Sequence, residues 1–308
     1  MLRQDPPRTQ GFSTEWFALS AYLDGERVLA HSYIDYERAE FSHIYQSLLQ
    51  GWLRLIVEYV TDASWSRGLE SNLLLRIPST DVWASLDRLA HTSAQHLHEA
   101  VDKSQDLAYA AAQDVLRKVQ VEANDLSARW IQDLLTLIAS HEGAEGVETL
   151  TRTAYNKIWR HRYEAWFDLS PELRLALSAE GMRPHYSGPD RTGDFDVVET
   201  EEAFTMVFDP CGTGGIMRRG DPTTGLPVFI TDRGEGTNAE PRPWSWGRTG
   251  VSWYCGHCPM LLEVFPAEDF GEPVRPVLFD PAAHKPRRGV IPRAPVRKLG
   301  QNVGPKPR

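Results

Sequence analysis

The stretch Phe41-Ser42-His43-Ile44-Tyr45-Gln46-Ser47-Leu48-Leu49-Gln50-Gly51-Trp52-Leu53-Arg54-Leu55-Ile56-Val57-Glu58-Tyr59 decides the fold class. Its apolar residues Phe41, Ile44, Tyr45, Leu48, Leu49, Trp52, Leu55, Ile56 and Tyr59 recur at steps of three and four. That spacing lines them along one face of a long amphipathic helix over residues 33–60. Downstream, Ser79-Thr80-Asp81 after Pro78 offers an N-terminal cap for helical sequence from 81 to 120, rich in alanine at Ala108–Ala112. Further helices are expected over 123–141, stopping near Gly143, and over 146–166, where Val147, Leu150, Ala154 and Ile158 repeat the spacing. Pro171 opens a short last helix that ends at Gly181. Residues 14–182 therefore read as an antiparallel helical bundle behind a flexible N-terminus, 1–13.

The character changes at Met182-Arg183-Pro184, where glycine and proline become frequent. Ala203–Phe208, Leu226–Thr231 and Leu261–Phe265 read as strands, so 183–280 is expected to be a small, loop-rich β domain and the whole chain α+β. Such a domain has little core for its length, and a bound metal would supply a cross-link.

The cysteines support that expectation. The chain has three, spaced C-x43-C-x2-C: Cys211 in Asp209-Pro210-Cys211-Gly212-Thr213-Gly214-Gly215, and Cys255 and Cys258 in Trp253-Tyr254-Cys255-Gly256-His257-Cys258-Pro259. A CxxC turn aims two thiolates at one ion, and a third from a glycine loop fills three of four tetrahedral positions. Zinc is the expected ion, with a three-cysteine iron–sulfur cluster as the alternative. A side chain in the fourth position would make the metal structural, and water or substrate there would make it catalytic. Candidates for that position are His257, His185, Asp209, Glu263 and His284.

Cys255-Gly256-His257-Cys258 resembles the redox motif of thioredoxin-fold disulfide isomerases, but Pro259 and the helical N-terminal half depart from that fold. The zinc nucleobase deaminases are excluded, because Tyr254 precedes the CxxC and no His-x-Glu stands upstream.

Beside Cys211, Gly214 and Gly215 can expose backbone N–H groups, and Arg218 and Arg219 can clamp a carboxylate or phosphate. No phosphate-binding glycine motif of the P-loop type is present. Trp253 belongs to an aromatic group with Trp244, Trp246 and Tyr254 that is read as a substrate-pocket wall or a local core.

A net charge of −9 argues against nucleic acid as a partner of the folded body. The segment 281–308 has eight Lys/Arg and no Asp or Glu, and reads as a disordered basic, proline-rich tail able to touch an acidic partner. No apolar run spans a membrane, no secretory signal is visible, and three cysteines make no disulfide framework, so a cytoplasmic location is expected.

These features converge on a zinc-dependent hydrolase or lyase acting on a small carboxylate-bearing metabolite. Cys211, Cys255 and Cys258 would hold the metal, His257 or Asp209 would move the proton, and Arg218, Arg219, Gly214, Gly215 and Trp253 would bind substrate. The alternative is a non-enzymatic interaction protein stapled by structural zinc. The layout of a helical half followed by a small cysteine-bearing domain is loosely similar to that of the L-2-amino-thiazoline-4-carboxylic acid hydrolase-like proteins. No motif of that family is matched residue by residue, and neither function nor site residues are carried across.

Overall fold

Ser13 starts the first helix: its Oγ accepts from the Trp16 amide at 3.2 Å, which satisfies one of the free N–H groups of the first turn. The computed structural model describes residues 5–66, 80–188, 190–208, 211–220, 236–280 and 285–293. Helix α1 (Thr14–Leu23) turns at Gly25, at φ 76°, into α2 (Arg27–Ser42). A π-helical turn, His43–Leu49, joins α2 to α3 (Gln50–Asp62), so the expected long helix exists but is locally widened. The bundle continues with α4 (Thr80–Lys103) and α5 (Asp106–Ala154), a second π turn (Tyr155–Trp159), α6 (Arg160–Tyr163) and α7 (Pro171–Met182). Ser79, in the expected α4 cap, lies outside the described residues, whereas Ser170 Oγ caps α7 by accepting from Leu173 N.

The expected stop near Gly143 is a kink instead. Gly143 takes φ 71° and ψ −165°, and the helix resumes at once. Glu142 fixes the bend, because its carboxylate accepts from Tyr59 Oη at 2.5 Å and from Trp65 Nε1 at 2.6 Å.

Helix α5 is the spine of two cores. Its first half sets Tyr109, Leu116 and Ala123 against Ala18, Ala30, Ile34, Ala94 and Leu97, where small alanines let α1, α2, α4 and α5 approach closely. Its second half sets Ile131, Leu135, Ile138 and Leu150 against Trp52, Ile56 and Val60 of α3. The same cluster takes in Met217, Trp244, Tyr254, Met260 and Phe265, so one apolar core crosses the expected boundary at 182/183. A third cluster joins Leu175, Ala179 and Met182 of α7 to Phe204, Met206, Phe208, Cys211 and Ile291.

The sheet is antiparallel with order β1 (Asp196–Glu199), β2 (Ala203–Val207), β4 (Lys285–Pro292), β3 (Val277–Asp280). Strand β2 lies where the alternation places it. Two segments differ from expectation. Leu261–Phe265 is helical: α8 (Gly214–Arg219) is followed by α9 (Trp253–Pro259), a third π turn (Met260–Val264) and α10 (Phe265–Phe270). A short apolar run fits either period, and here Met260, Leu261 and Phe265 are buried on a helical face. Lys285–Pro292 is an inner strand rather than part of a disordered tail, since Ile291 pairs with Phe204 and is buried in the third cluster. The expected strand 226–231 and residues 294–308 lie outside the described residues.

The N-terminal segment closes onto the start of the second half. Phe195 N donates to Gly11 O at 3.0 Å, and Ser13 N to Asp194 Oδ1 at 2.5 Å. Arg183 enters the same seam, with Nε donating to Glu40 Oε1 at 2.7 Å and Nη1 to Gln10 O at 2.8 Å. Thr14 Oγ1 donates to Glu40 Oε2 at 2.9 Å. Around this pair lies a small cavity lined by Glu15, Glu37, Glu40, Arg183 and Tyr186.

Burial, helped by the neighbouring charge of Glu15, pushes the Glu37 carboxyl up to about 8. A folded value above the unfolded one means stability is fully present below the unfolded value of 4.5 and lost as pH rises towards 8. Glu37→Gln removes that loss and places an amide donor near Gln113 Oε1, which has no partner among the described residues. The variant is expected to match the parent in thermal melts at pH 5 and to exceed it at pH 9, by on the order of a few kcal/mol. Equal melting at both pH values would refute this.

Candidate functional site

Ser252 places the CxxC in a helix rather than a tight turn. Its Oγ accepts from Cys255 N at 3.1 Å and starts α9, so Cys255 sits in the first turn and Cys258 about one turn on. The two thiols have different surroundings. Cys255 Sγ packs onto Gly214, where an added Cβ would lie 2.2 Å from the sulfur. Cys211, on the same loop, has its Sγ 3.4 Å from Thr213 Oγ1. Both of these thiols are buried, whereas Cys258 is half-buried beside His257 and Arg275. All three are free.

The loop that carries Cys211 is firmly held. Gly212 N donates to Ser187 Oγ at 3.2 Å, and Gly212 O accepts from Asn124 Nδ2 at 3.3 Å and Arg191 Nη2 at 3.2 Å. Arg191 also forks onto Asp125 of α5 with contacts of 3.1 and 2.6 Å, tying the loop to the spine of the bundle.

Burial, helped by the proximity of Cys211, pushes the Cys255 thiol up to about 12. Burial also raises Cys258, to about 11, against the pull of Arg275. Both are neutral thiols at physiological pH. Among the described residues, no three His, Cys, Asp or Glu side chains form a group that could hold a metal ion.

His257 is the group best placed for chemistry. Its Nδ1 donates to the Tyr254 carbonyl, which fixes the tautomer and leaves Nε2 as an acceptor, 3.5 Å from Cys258 Sγ. Burial holds its pKa down at about 4, so the ring is a neutral base. Trp52 and Tyr254 pack on it, with ring centroids at 5.1 and 4.7 Å.

Two more polar groups accompany this pair. Burial, with any proton on His257 and the charge of Arg275 opposing a second cation, lowers His185 to about 4, and its Nδ1 has no well-formed hydrogen bond to the described residues. Arg275 is buried, 7 % exposed, with Nε unpartnered among the described residues and Nη2 only 3.5 Å from the Met182 thioether. Burial disfavours its charge, which Cys258, Tyr163 and Glu263 would support only in their ionised forms, yet Glu263 Oε1 is engaged by Val277 N, and among the described residues Arg275 forms no ion pair. A buried guanidinium without a counter-ion is costly.

The other residues singled out by sequence fall elsewhere. Arg218 Nη2 donates to Gly250 O at 2.7 Å, and exposed Arg219 folds back so that Nε donates to Gly215 O at 3.2 Å. The two arginines thus engage different carbonyls. Gly214 and Gly215 begin α8, and Trp253 is core, 6 % exposed beside Trp244. Asp209 and His284 lie outside the described residues. Arg275 escaped the sequence reading because Val274-Arg275-Pro276 carries no motif; its burial comes from α7 and β4 packing over it.

Searches against protein-family models, curated proteins and solved structures return no match for this chain.

Proposed function

We propose that the chain is an enzyme of the hydrolase or lyase class that acts on a small carboxylate-bearing metabolite at Cys258. The observation that carries this reading is the buried Arg275 guanidinium, with no ion pair among the described residues, within electrostatic reach of a thiol–imidazole pair. Arg275 takes the substrate carboxylate, a role the sequence reading gave to Arg218 and Arg219. Cys258 Sγ bonds to an electrophilic carbon as its proton passes to His257 Nε2. His257 returns that proton to the departing heteroatom as its bond to carbon breaks. Water then cleaves the thioester-level intermediate and restores the thiol. No helix among the described residues is long and apolar enough to cross a membrane, which agrees with a small-molecule substrate met in water.

Iodoacetate tests this directly, since it is a small carboxylate with an electrophilic carbon. Peptide mapping is expected to show Cys258 alkylated first, and faster by iodoacetate than by neutral iodoacetamide. Arg275→Met should abolish the preference for the anion, and His257→Gln should slow both reagents by at least about tenfold. Equal rates for the two reagents in the parent protein would reject the carboxylate site. Metal analysis of untagged protein addresses the zinc reading. One zinc per chain, lost in both Cys211→Ser and Cys258→Ser, would replace the thiol–imidazole pair with a three-thiolate centre. Zinc together with inert thiols would favour the interaction protein.

A further inference from the structure

On the far side of the bundle, α2 and α4 present one motif twice, in opposite directions: His31 and Asp35 on α2, His98 and Asp102 on α4, each pair four residues apart. Four residues put both side chains of a pair on one helix face. The pairs cross, because the helices run antiparallel there. His31 Nε2 lies 3.1 Å from Asp102 Oδ1, and His98 Nε2 lies 3.1 Å from Asp35 Oδ1. The rings meet edge to edge, with centroids 4.9 Å apart and planes 24° apart, and the two Nδ1 atoms face each other at 2.6 Å.

Proton counting makes this arrangement informative. An ionised carboxylate only accepts, so each Nε2 must carry a proton to meet its aspartate. A neutral ring has one N–H, which leaves a lone pair on each Nδ1, and the two lone pairs point at one another. Three nitrogen contacts need three protons, and two neutral rings supply two. One positive charge is missing between the Nδ1 atoms.

We propose that this pair is a binding site for one divalent transition-metal ion of the zinc, nickel or copper class, held by His31 Nδ1 and His98 Nδ1. A carboxylate on the remote N–H of each ring is the usual support of a metal-ligating histidine, because it fixes the tautomer and makes the free nitrogen more basic. Imidazole suits these ions. An ion about 2.0–2.1 Å from each nitrogen in tetrahedral geometry needs the nitrogens about 3.3 Å apart and both lone pairs turned towards it, so the rings separate by less than about one ångström and swing out of their head-on line. No third His, Cys, Asp or Glu of the described residues joins them as ligand, so water fills the other positions. The rings are 27 % and 29 % exposed, which leaves a route for the ion. The neighbouring cations do not compete for the nitrogens: Arg27 donates to Ser104 and Lys103 pairs with Glu99. The bound ion clasps α2, which carries Glu37 and Glu40, to α4.

Zinc titrated into the full chain and followed by calorimetry, thermal melting and histidine ring NMR tests the proposal. Cobalt as a second probe separates imidazole ligation from thiolate ligation, which adds a strong near-ultraviolet charge-transfer band. The expected result is one zinc per chain, a raised Tm, shifted His31 and His98 ring signals, and a cobalt complex without the thiolate band. His31→Ala and His98→Ala should each abolish that binding, and Asp35→Asn or Asp102→Asn should weaken it about 10–100-fold. Metal-free melts report whether each variant folds. Zinc binding unchanged by both histidine variants overturns the proposal, as does a thiolate band on the one bound cobalt. Ring signals that move with pH but not with zinc also overturn it, and would mean that the missing charge is a proton.

Discussion

Arg183→Met is expected to destabilise the fold by about 3–5 kcal/mol, because it leaves the Glu40 carboxylate buried without its counter-charge. Both partners are almost fully enclosed, at 3 % and 4 % side-chain exposure. The guanidinium also holds Gln10 O, so the variant frees a carbonyl and loosens the N-terminal segment over the seam. A domain of ordinary stability has on the order of 5–15 kcal/mol in hand, so a large share would be lost. Denaturant unfolding gives the value. Glu40→Met in the Arg183→Met background should recover most of the loss, since two apolar side chains then replace an orphaned charge. A double variant no more stable than Arg183→Met would show that the seam depends on packing around the guanidinium and not on the ion pair.

Gly212→Ala is the second large effect, and it reaches the candidate site. A Cβ at this position would lie 1.9 Å from the His185 carbonyl oxygen and 2.2 Å from that of Tyr186, both backbone atoms with little room to move. The expected cost is about 3 kcal/mol, at the upper end for overpacking. Relief requires the Cys211–Gly214 loop to withdraw from the turn carrying His185, against its ties to Ser187, Asn124 and Arg191. Withdrawal also lifts Gly214 off Cys255 Sγ. Thiol titration of the folded variant should therefore show Cys211 and Cys255 reacting many times faster than in the parent, with Cys258 changed least. A uniform slow rate for all three thiols would mean that the loop absorbs the methyl in place.

The bundle was legible because long helices repeat their apolar spacing often enough to be read. Trp52, Leu55, Ile56 and Tyr59 announce α3 with no knowledge of what they pack against. The π turns were not legible, since one extra residue changes the phase of a helix without changing its composition. Leu261–Phe265 misled for a related reason: four apolar residues in five are too few to distinguish the two periods, and the Ser252 cap that settles the matter lies nine residues earlier. Val290-Ile291 was hidden by the basic residues around it, whose charge describes solvent exposure and not the pairing of the backbone. At the proposed site, proximity in sequence was the guide, and it singled out Cys258, as a metal ligand, and His257, as a proton carrier. It also enlisted Arg218 and Arg219, which spacing places near the thiols but which the helix turns towards backbone carbonyls. Arg275 had no sequence signal, because its meaning lies in what surrounds it.

The seam between residues 10–13 and 183–195 has a consequence for synthesis. The first segment of the chain leaves the ribosome long before the residues that receive it. Gly11 and Ser13 wait for Phe195 and Asp194, about 180 residues later. At roughly 5–20 residues per second that interval is on the order of 10–40 seconds. Throughout it, Glu40 has no Arg183, and the first two helices present an unfinished face to solvent or to a chaperone. The sheet waits longer still, since β4, one of its two inner strands, is made after the other three described strands. Slow codons or a holding factor acting on the first half would be felt at this seam before anywhere else in the molecule.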